Sequence, residues 1–291
     1  MQPDGTRLPP WVKVKLPTGE KYQKIHDMMR SKLLHTVCEE ARCPNIAECW
    51  GNEGTATFLI LGDVCTRHCG FCSIKVGKPR IVNPLEPKMV AESVKQMGID
   101  YAVITSVNRD DLPDGGASIF VECIQEIRAL VPDCKVELLI PDFDGNFDAL
   151  KMVIEAKPDV LGHNIETTRQ LHRRVRPYGT YDRALEVLRR IKEFDATMPT
   201  KSNIILGFGE TEEDVIQIMK DLRNVNCDLL TITQYLRPTK INLRVVKYYH
   251  PDEFKRFKEV GLSLGFKHVE AGPLVRTSYH AKEQWQAAKI N

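Results

Sequence analysis

Apolar residues along this chain switch between two spacings from about residue 56 onward. Short β-rich runs occur at Thr57–Leu61, Tyr101–Thr105, Lys135–Ile140, Val160–His163, Lys201–Leu206 and Leu229–Gln234. Between them the apolar positions fall at helical spacing. Pro87–Met97 presents Met89, Val90, Val94 and Met97, and Ala117–Leu130, Phe147–Ala156, Tyr181–Phe194 and Thr211–Leu222 continue the series. Strands alternating with helices predict a parallel sheet. Six such units make an α/β fold, either an open sheet or an incomplete (β/α)6 TIM-like barrel. The barrel is favoured because polar, often glycine-bearing segments follow nearly every strand, as in Gly62-Asp63, Ser106-Val107-Asn108-Arg109, Asn164-Ile165-Glu166 and Gly207-Phe208-Gly209-Glu210. Barrels build their active sites from those loops. Loops are polar in any case, so this pattern marks a face and not yet a chemistry.

Composition narrows the class. A chain of 291 residues with 42% hydrophobic and 27% charged residues is ordinary for a globular protein. Its net charge of +2 is too small to argue for a nucleic-acid partner. No apolar run approaches the roughly 18 residues of a membrane span, and Met1–Pro10 has no apolar signal core, so a cytoplasmic location is expected. Pro3, Pro9, Pro10, Pro17 and Gly19 mark the first twenty residues as an irregular arm. The expected division is a cluster-bearing arm over 1–54, a partial barrel over 55–260 and a C-terminal extension over 261–291.

The cysteines change the picture. Six of the nine fall in two triplets: Cys38, Cys43 and Cys49 as C-x4-C-x5-C, and Cys65, Cys69 and Cys72 as C-x3-C-x2-C. Three thiolates on a short loop can hold three irons of a cubane and leave the fourth open, and an open metal position is a place for chemistry. Two triplets therefore predict two [4Fe–4S] clusters and a redox enzyme. Disulfides suit a short secreted chain better than one of this length with an odd cysteine count. Structural zinc asks for four ligands in paired sets, whereas each run supplies three. Cys123, Cys134 and Cys227 stand singly in apolar segments, where free cysteine packs as a small hydrophobe.

Cys65 directly follows the first strand of the series. The run Cys65-Thr66-Arg67-His68-Cys69-Gly70-Phe71-Cys72 resembles the signature of the radical S-adenosylmethionine (SAM) superfamily, including the aromatic residue before the last cysteine. That resemblance implies an open iron that chelates SAM and one-electron cleavage of SAM to methionine and a 5′-deoxyadenosyl radical. Cys38-Glu39-Glu40-Ala41-Arg42-Cys43-Pro44-Asn45-Ile46-Ala47-Glu48-Cys49-Trp50 is very similar to the N-terminal cluster motif of lipoyl synthases. The likeness extends through Pro9–Pro17, Thr105–Leu112 with Asp114-Gly115-Gly116, His163–Thr167, Lys201–Thr211, Gln234–Thr239 and Gly272–His280. One departure stands out: Arg276-Thr277-Ser278-Tyr279 where the family usually has Arg-Ser-Ser-Tyr, with a hydroxyl kept at both positions.

The family resemblance implies insertion of two sulfur atoms at carbons 6 and 8 of an octanoyl chain on a carrier-domain lysine. The cluster on Cys65, Cys69 and Cys72 makes the radical. The cluster on Cys38, Cys43 and Cys49, with Ser278 as fourth ligand, gives up the sulfur. An alkoxide oxygen suits iron less well than thiolate and can leave as a cluster opens, while the plain alternative for Ser278 is a bond to local backbone. Implied partners are octanoylated carrier domains (2-oxoacid dehydrogenase acyltransferase subunits and the glycine cleavage H protein), a flavodoxin or ferredoxin electron donor, and an iron–sulfur carrier protein.

SAM itself needs partners for its ribose diol, carboxylate and amino groups. Asn164 and Glu166, just past the fourth strand, could bond the diol or merely cap the strand end. Ser106 and Asn108 follow the second strand where the superfamily meets the SAM amino group, and Lys201 and Arg237 are cations near the expected carboxylate. Gly207 and Gly209 let backbone approach a ligand or form a plain turn. Arg169, His172, Arg173, Arg174 and Arg176 form either a solvated face or a docking patch for an acidic carrier. Trp50 is expected to shield its cluster, and His68 and His280 could be ligands or proton donors, although a lone histidine is more often structural. Two other readings compete. A methylthiotransferase acting on RNA or ribosomal protein would want an added basic domain. A non-catalytic iron–sulfur carrier or zinc-stabilised interaction protein would not need six βα units.

Overall fold

All six predicted strands and all five predicted helices form in the computed structural model, which describes residues 7–14, 16, 19–53 and 56–290. Pro3 and Pro17 of the expected arm lie outside the described residues. The chain divides into two compact units.

The first unit comprises Val14–Arg67 and Ile74–Asp159. Its elements in chain order are α1 Glu20–Ser31, β1 His35–Thr36, α2 Val37–Glu40, α3 Ile46–Glu48, β2 Thr57–Ile60, β3 Val64–Cys65, β4 Lys75–Val76, α4 Glu86–Met97, β5 Tyr101–Ser106, α5 Ala117–Leu130, β6 Lys135–Leu139 and α6 Phe147–Glu155. The sheet runs β1-β2-β5-β6. β2 lies parallel to β5 with Thr57 opposite Val103, and β5 parallel to β6 with Tyr101 opposite Lys135. Parallel neighbours need crossovers, which α4 and α5 supply. β2 is buried along its whole length, so it reads as a continuous apolar run and not as an alternating one. Each fully buried Phe58, Leu59 and Ile60 side chain contributes roughly 1.5–3 kcal/mol of burial.

The second unit comprises His68–Ser73, Val160–Asn291 and the described part of Met1–Lys13. It holds β7 Val160–Gly162, α7 His172–Val175, α8 Tyr181–Phe194, β8 Thr200–Leu206, α9 Glu212–Asn224, β9 Leu229–Gln234, α10 Pro251–Ser263, β10 His268–Gly272 and α11 Ala281–Ile290. Its strands run β7-β8-β9-β10, all parallel. β10 lies beside β9 with Gly272 opposite Thr233. It is a further parallel strand inside the expected C-terminal extension. Residue 260 falls within α10, which starts at Pro251 with a capping box between His250 and Glu253. The arm is anchored in this unit: Val12 is buried, and Trp11 meets His250 edge-on with ring centroids 4.9 Å apart.

Candidate active site: two cysteine triplets and a polar cluster

The Cys38, Cys43 and Cys49 segment is built from short local turns. Thr36 caps α2 by accepting from the Glu39 N–H at 3.3 Å. The Cys43 N–H then returns to the Cys38 carbonyl at 2.9 Å, with Arg42 left-handed (φ 52°) before it. The Cys49 N–H closes on the Asn45 carbonyl at 2.9 Å. Cys38 is buried, and burial, reinforced by the neighbouring Cys43, pushes its thiol up to about 12. Against this act the backbone N–H of Thr57 and the indole of Trp50. Trp50 is fully buried, with Tyr22 over it at 5.3 Å. Its Nε1–H finds no acceptor at hydrogen-bonding distance, although it lies near enough to Cys38 to favour the thiolate. A buried N–H aimed at a thiolate site is the donor that iron–sulfur centres use around their sulfurs, so these residues fit such a group.

Cys65 ends β3 and is held differently. Its Sγ accepts from the N–H of Arg67 at 3.4 Å and of Asn108 at 3.3 Å. Thr66 donates from N and Oγ1 to the Asn108 carbonyl, both at 3.1 Å, and from Oγ1 to Asp110 Oδ2 at 2.7 Å. Arg67 is buried and forks onto both oxygens of Asp110, with a further bond to Asp142 at 2.7 Å. Asn108, expected beside the SAM amino group, thus spends its backbone on the cysteine loop. Ser106 ends β5 with a buried hydroxyl that has no protein partner; a bound polar ligand would satisfy it.

Cys69 and Cys72 belong to the second unit. The Cys72 N–H bonds the Cys69 carbonyl at 3.1 Å. Gly70 donates to the Val175 carbonyl at 2.8 Å and accepts from the Leu243 N–H at 2.9 Å, while Asn242 Nδ2 donates to the Cys72 carbonyl at 2.8 Å. A Cβ at position 70 would sit 2.7 Å from the Leu243 side chain, so only glycine admits that approach. Phe71 packs on the cluster of Val175, Phe208 and Tyr235.

Asn164 and Glu166 come together past β7, as expected, joined at 3.1 Å. Asn203 of β8 adds a bond to the other Glu166 oxygen at 3.2 Å and itself accepts from Thr231 at 2.8 Å. Burial raises the Glu166 carboxyl above its ordinary range, countered by Arg176 and the two amides. Glu166 is left-handed (φ 67°), a conformation uncommon outside glycine that marks functional turns. The Asn164 Oδ1 is buried without a protein partner. Thr277 Oγ1 lies 3.5 Å from Asn164 Nδ2, which brings the Arg276–Tyr279 turn to this group; there the Tyr279 N–H bonds the Arg276 carbonyl. A buried carboxylate, flanking amides and an orphaned acceptor can bind a neutral diol.

Several expectations shift. Lys201 is buried at the second position of β8, on the face of Asn203 and two residues nearer the strand's amino end. Arg237 turns onto its own loop, donating to the carbonyls of Asn242 (2.9 Å) and Lys240. Gly207 serves a turn closed by Glu210, which accepts from the N–H groups of residues 207 and 208; a Cβ there would meet Gln234 Nε2 at 2.6 Å. The basic run does not form one patch. His172 and Arg176 are buried, Arg176 bonding the Asn164 carbonyl at 2.8 Å, and Arg169 pairs with Asp182. Arg173 and Arg174 are exposed. Cys123, Cys134 and Cys227 are buried free thiols, the last pushed up to about 12 by burial. His68 is exposed and His280 stacks on Tyr279 at 3.9 Å. Sequence reasoning missed Arg67, Asp142, Asn203 and Asn242, whose partners lie far away along the chain. No described helix is long and apolar enough to cross a membrane.

Two family models match the chain. The family described as "Radical SAM superfamily" matches residues 59–222, and the "N-terminal domain of lipoyl synthase of Radical_SAM family" matches residues 2–43. A lipoyl synthase of Halalkalibacterium halodurans is 56% identical over 98% of this chain and 94% of its own. One of Rubrobacter xylanophilus is 56% identical over 97% and 87%. Among solved structures, HydG, a maturase of the [FeFe]-hydrogenase, superposes with a TM-score of 0.58 at 13% identity, covering 93% of this chain and 61% of that one. Streptococcus suis SuiB bound to S-adenosylmethionine gives 0.56 at 13%, covering 74% and 49%, so this chain spans about half of SuiB. The structural likeness carries the fold and the near full-length identity carries the family: this chain belongs to the lipoyl synthases of the radical SAM superfamily.

Proposed function

We propose that this chain inserts two sulfur atoms at carbons 6 and 8 of an octanoyl chain carried on a lysine of a lipoyl carrier domain. One observation carries the reading: identity of 56% to curated lipoyl synthases over nearly the whole chain, with both cysteine triplets present. In this reading Cys65, Cys69 and Cys72 hold a [4Fe–4S] cluster, and Cys38, Cys43 and Cys49 with Ser278 hold a second. Bound there, the clusters supply an electron to SAM and sulfur to the substrate.

The chain's own residues do the positioning. Two backbone N–H groups direct Cys65 Sγ. Glu166, Asn164 and Asn203 hold the SAM ribose diol, and Ser106 adds a hydroxyl beside the methionine end of SAM. Trp50 keeps water from Cys38 and offers its indole N–H. Ser278 would hold an iron of the second cluster through oxygen, a weaker iron ligand than thiolate. The proposed partners are octanoylated acyltransferase domains and glycine cleavage H protein, a flavodoxin or ferredoxin donor and an iron–sulfur carrier. The proposed location is the reducing cytoplasm, where cysteines stay reduced and available to bind metal.

Anaerobic incubation with an octanoyl-lysyl peptide, SAM and reductant, followed by mass spectrometry, tests the function. A mass gain for two sulfurs, at no more than about one product per chain without cluster repair, is expected. 5′-Deoxyadenosine without any thiolated peptide would overturn the reading.

A further inference from the structure

Nothing assigned to the two triplets uses Arg67, yet its side chain is only 4% exposed, in a segment that is otherwise a loop. Its Nε and Nη2 grip the two Asp110 oxygens at 2.8 and 2.7 Å, and its Nη1 reaches Asp142 at 2.7 Å. Asp142 is itself 2% exposed and also accepts from the Asp144 N–H at 3.1 Å. A forked guanidinium between fixed carboxylates has one geometry available, which lysine cannot reproduce. The same residue's backbone N–H points at Cys65 Sγ.

We infer that Arg67 is the positioning residue of Cys65: clamped by Asp110 and Asp142, its side chain fixes the peptide that donates to the sulfur, and its charge sets how readily a cluster on that sulfur accepts an electron. The inference rests on the reading of Cys65 as a cluster ligand. Two effects act in the same direction. An N–H···S bond and a nearby positive charge both stabilise the reduced, more negative state, so losing Arg67 makes reduction harder. Losing the Asp110 charge makes it easier, because Arg67 then stays in place on Asp142 with less compensation. A purely structural clamp predicts no such opposition of sign.

The test is a potentiometric titration, read by electron paramagnetic resonance, of anaerobically reconstituted full-length protein with SAM. The wild type is expected to show a signal that changes on SAM addition; without one, the ligand reading itself falls, separately from this inference. Arg67→Gln is expected to shift the potential of that signal downward, Arg67→Lys to recover part of the shift, and Asp110→Asn to move it upward. Shifts of one sign in Arg67→Gln and Asp110→Asn, or no shift in either, overturn the inference. Should Arg67→Gln fail to fold by circular dichroism, Arg67→Lys and Asp110→Asn carry the readout, expected to move the potential down and up respectively; shifts of one sign, or no shift in either, again overturn the inference.

Discussion

The two cysteine triplets are secured by opposite means. Around Cys38, Cys43 and Cys49 the backbone bonds within the loop span three to five residues, the side chains pressed against them are aromatic, and the Thr57 N–H of β2 reaches Cys38. Around Cys65, Cys69 and Cys72 the bonds reach 43 residues to Asp110, 75 to Asp142 and 170 to Asn242. A segment whose turns close locally can loosen with less disturbance to the sheet. A loop tied to three distant parts of the fold moves only when they do. In the proposed reading, that difference suits a site that is emptied and refilled on one side and a site that lasts on the other.

The largest effects come from removing either triplet. Replacing Cys65, Cys69 and Cys72 by Ala should reduce 5′-deoxyadenosine to background and halve the bound iron. Replacing Cys38, Cys43 and Cys49 should leave 5′-deoxyadenosine formation and end thiolation. Equal losses of both products from both variants would erase the distinction. Ser278→Cys comes next: thiolate is the better iron ligand, so SAM cleavage should persist while lipoyl product falls, and full product from this variant would remove Ser278 from the site.

Glu166 gives an intermediate effect. Glu166→Gln removes a charged acceptor, so the KM for SAM should rise about ten- to a hundredfold. Burial holds the Glu166 carboxyl above the ordinary range. Its ionised form is the better acceptor, so SAM binding should weaken as pH falls, beginning above the ordinary glutamate range of about 4.3. Kinetics against pH should show this in the wild type and not in Glu166→Gln.

Smaller effects sharpen the local side of the contrast. Trp50→Ala should cost about 3–5 kcal/mol in thermal unfolding through the cavity it leaves. Trp50→Phe should cost far less and report mainly the missing indole N–H, as a changed absorption spectrum of the reconstituted centre. Arg173→Ala with Arg174→Ala, both exposed, should change carrier-domain KM by only a few fold, as surface charges do; fluorescence titration with an octanoylated domain would measure it.

Much of the fold was legible because β2, β5 and β9 are buried along nearly their whole length and rich in apolar and β-branched residues, and such runs bounded by polar loops are hard to mistake. β10 was hidden because His268 and Glu270 face each other at 3.1 Å along it, which makes the strand look polar. α10 carried readable start signals in Pro251 and Glu253, but its apolar stripe is little more than Phe254 and Phe257. In the site, the cysteines and the Asn164–Glu166 pair were readable from local spacing. That Arg237 donates to two carbonyls of its own loop could not be read, because nothing in sequence shows that the loop turns back. Arg67 and Asn203 were invisible for a similar reason: their meaning lies in residues dozens of positions away.

The attachment of Gly70 to Leu243 sets a clock. Residues 69–72 take their shape from a segment about 170 positions later, and contacts of such separation form late because the loop they close is long. A ribosome has made most of the polypeptide before that second half of the CxxxCxxC loop can be shaped. The backbone turns of Cys38–Cys49 close within a few residues and can form long before, while a ligand at Ser278 would complete that centre only about 230 residues later.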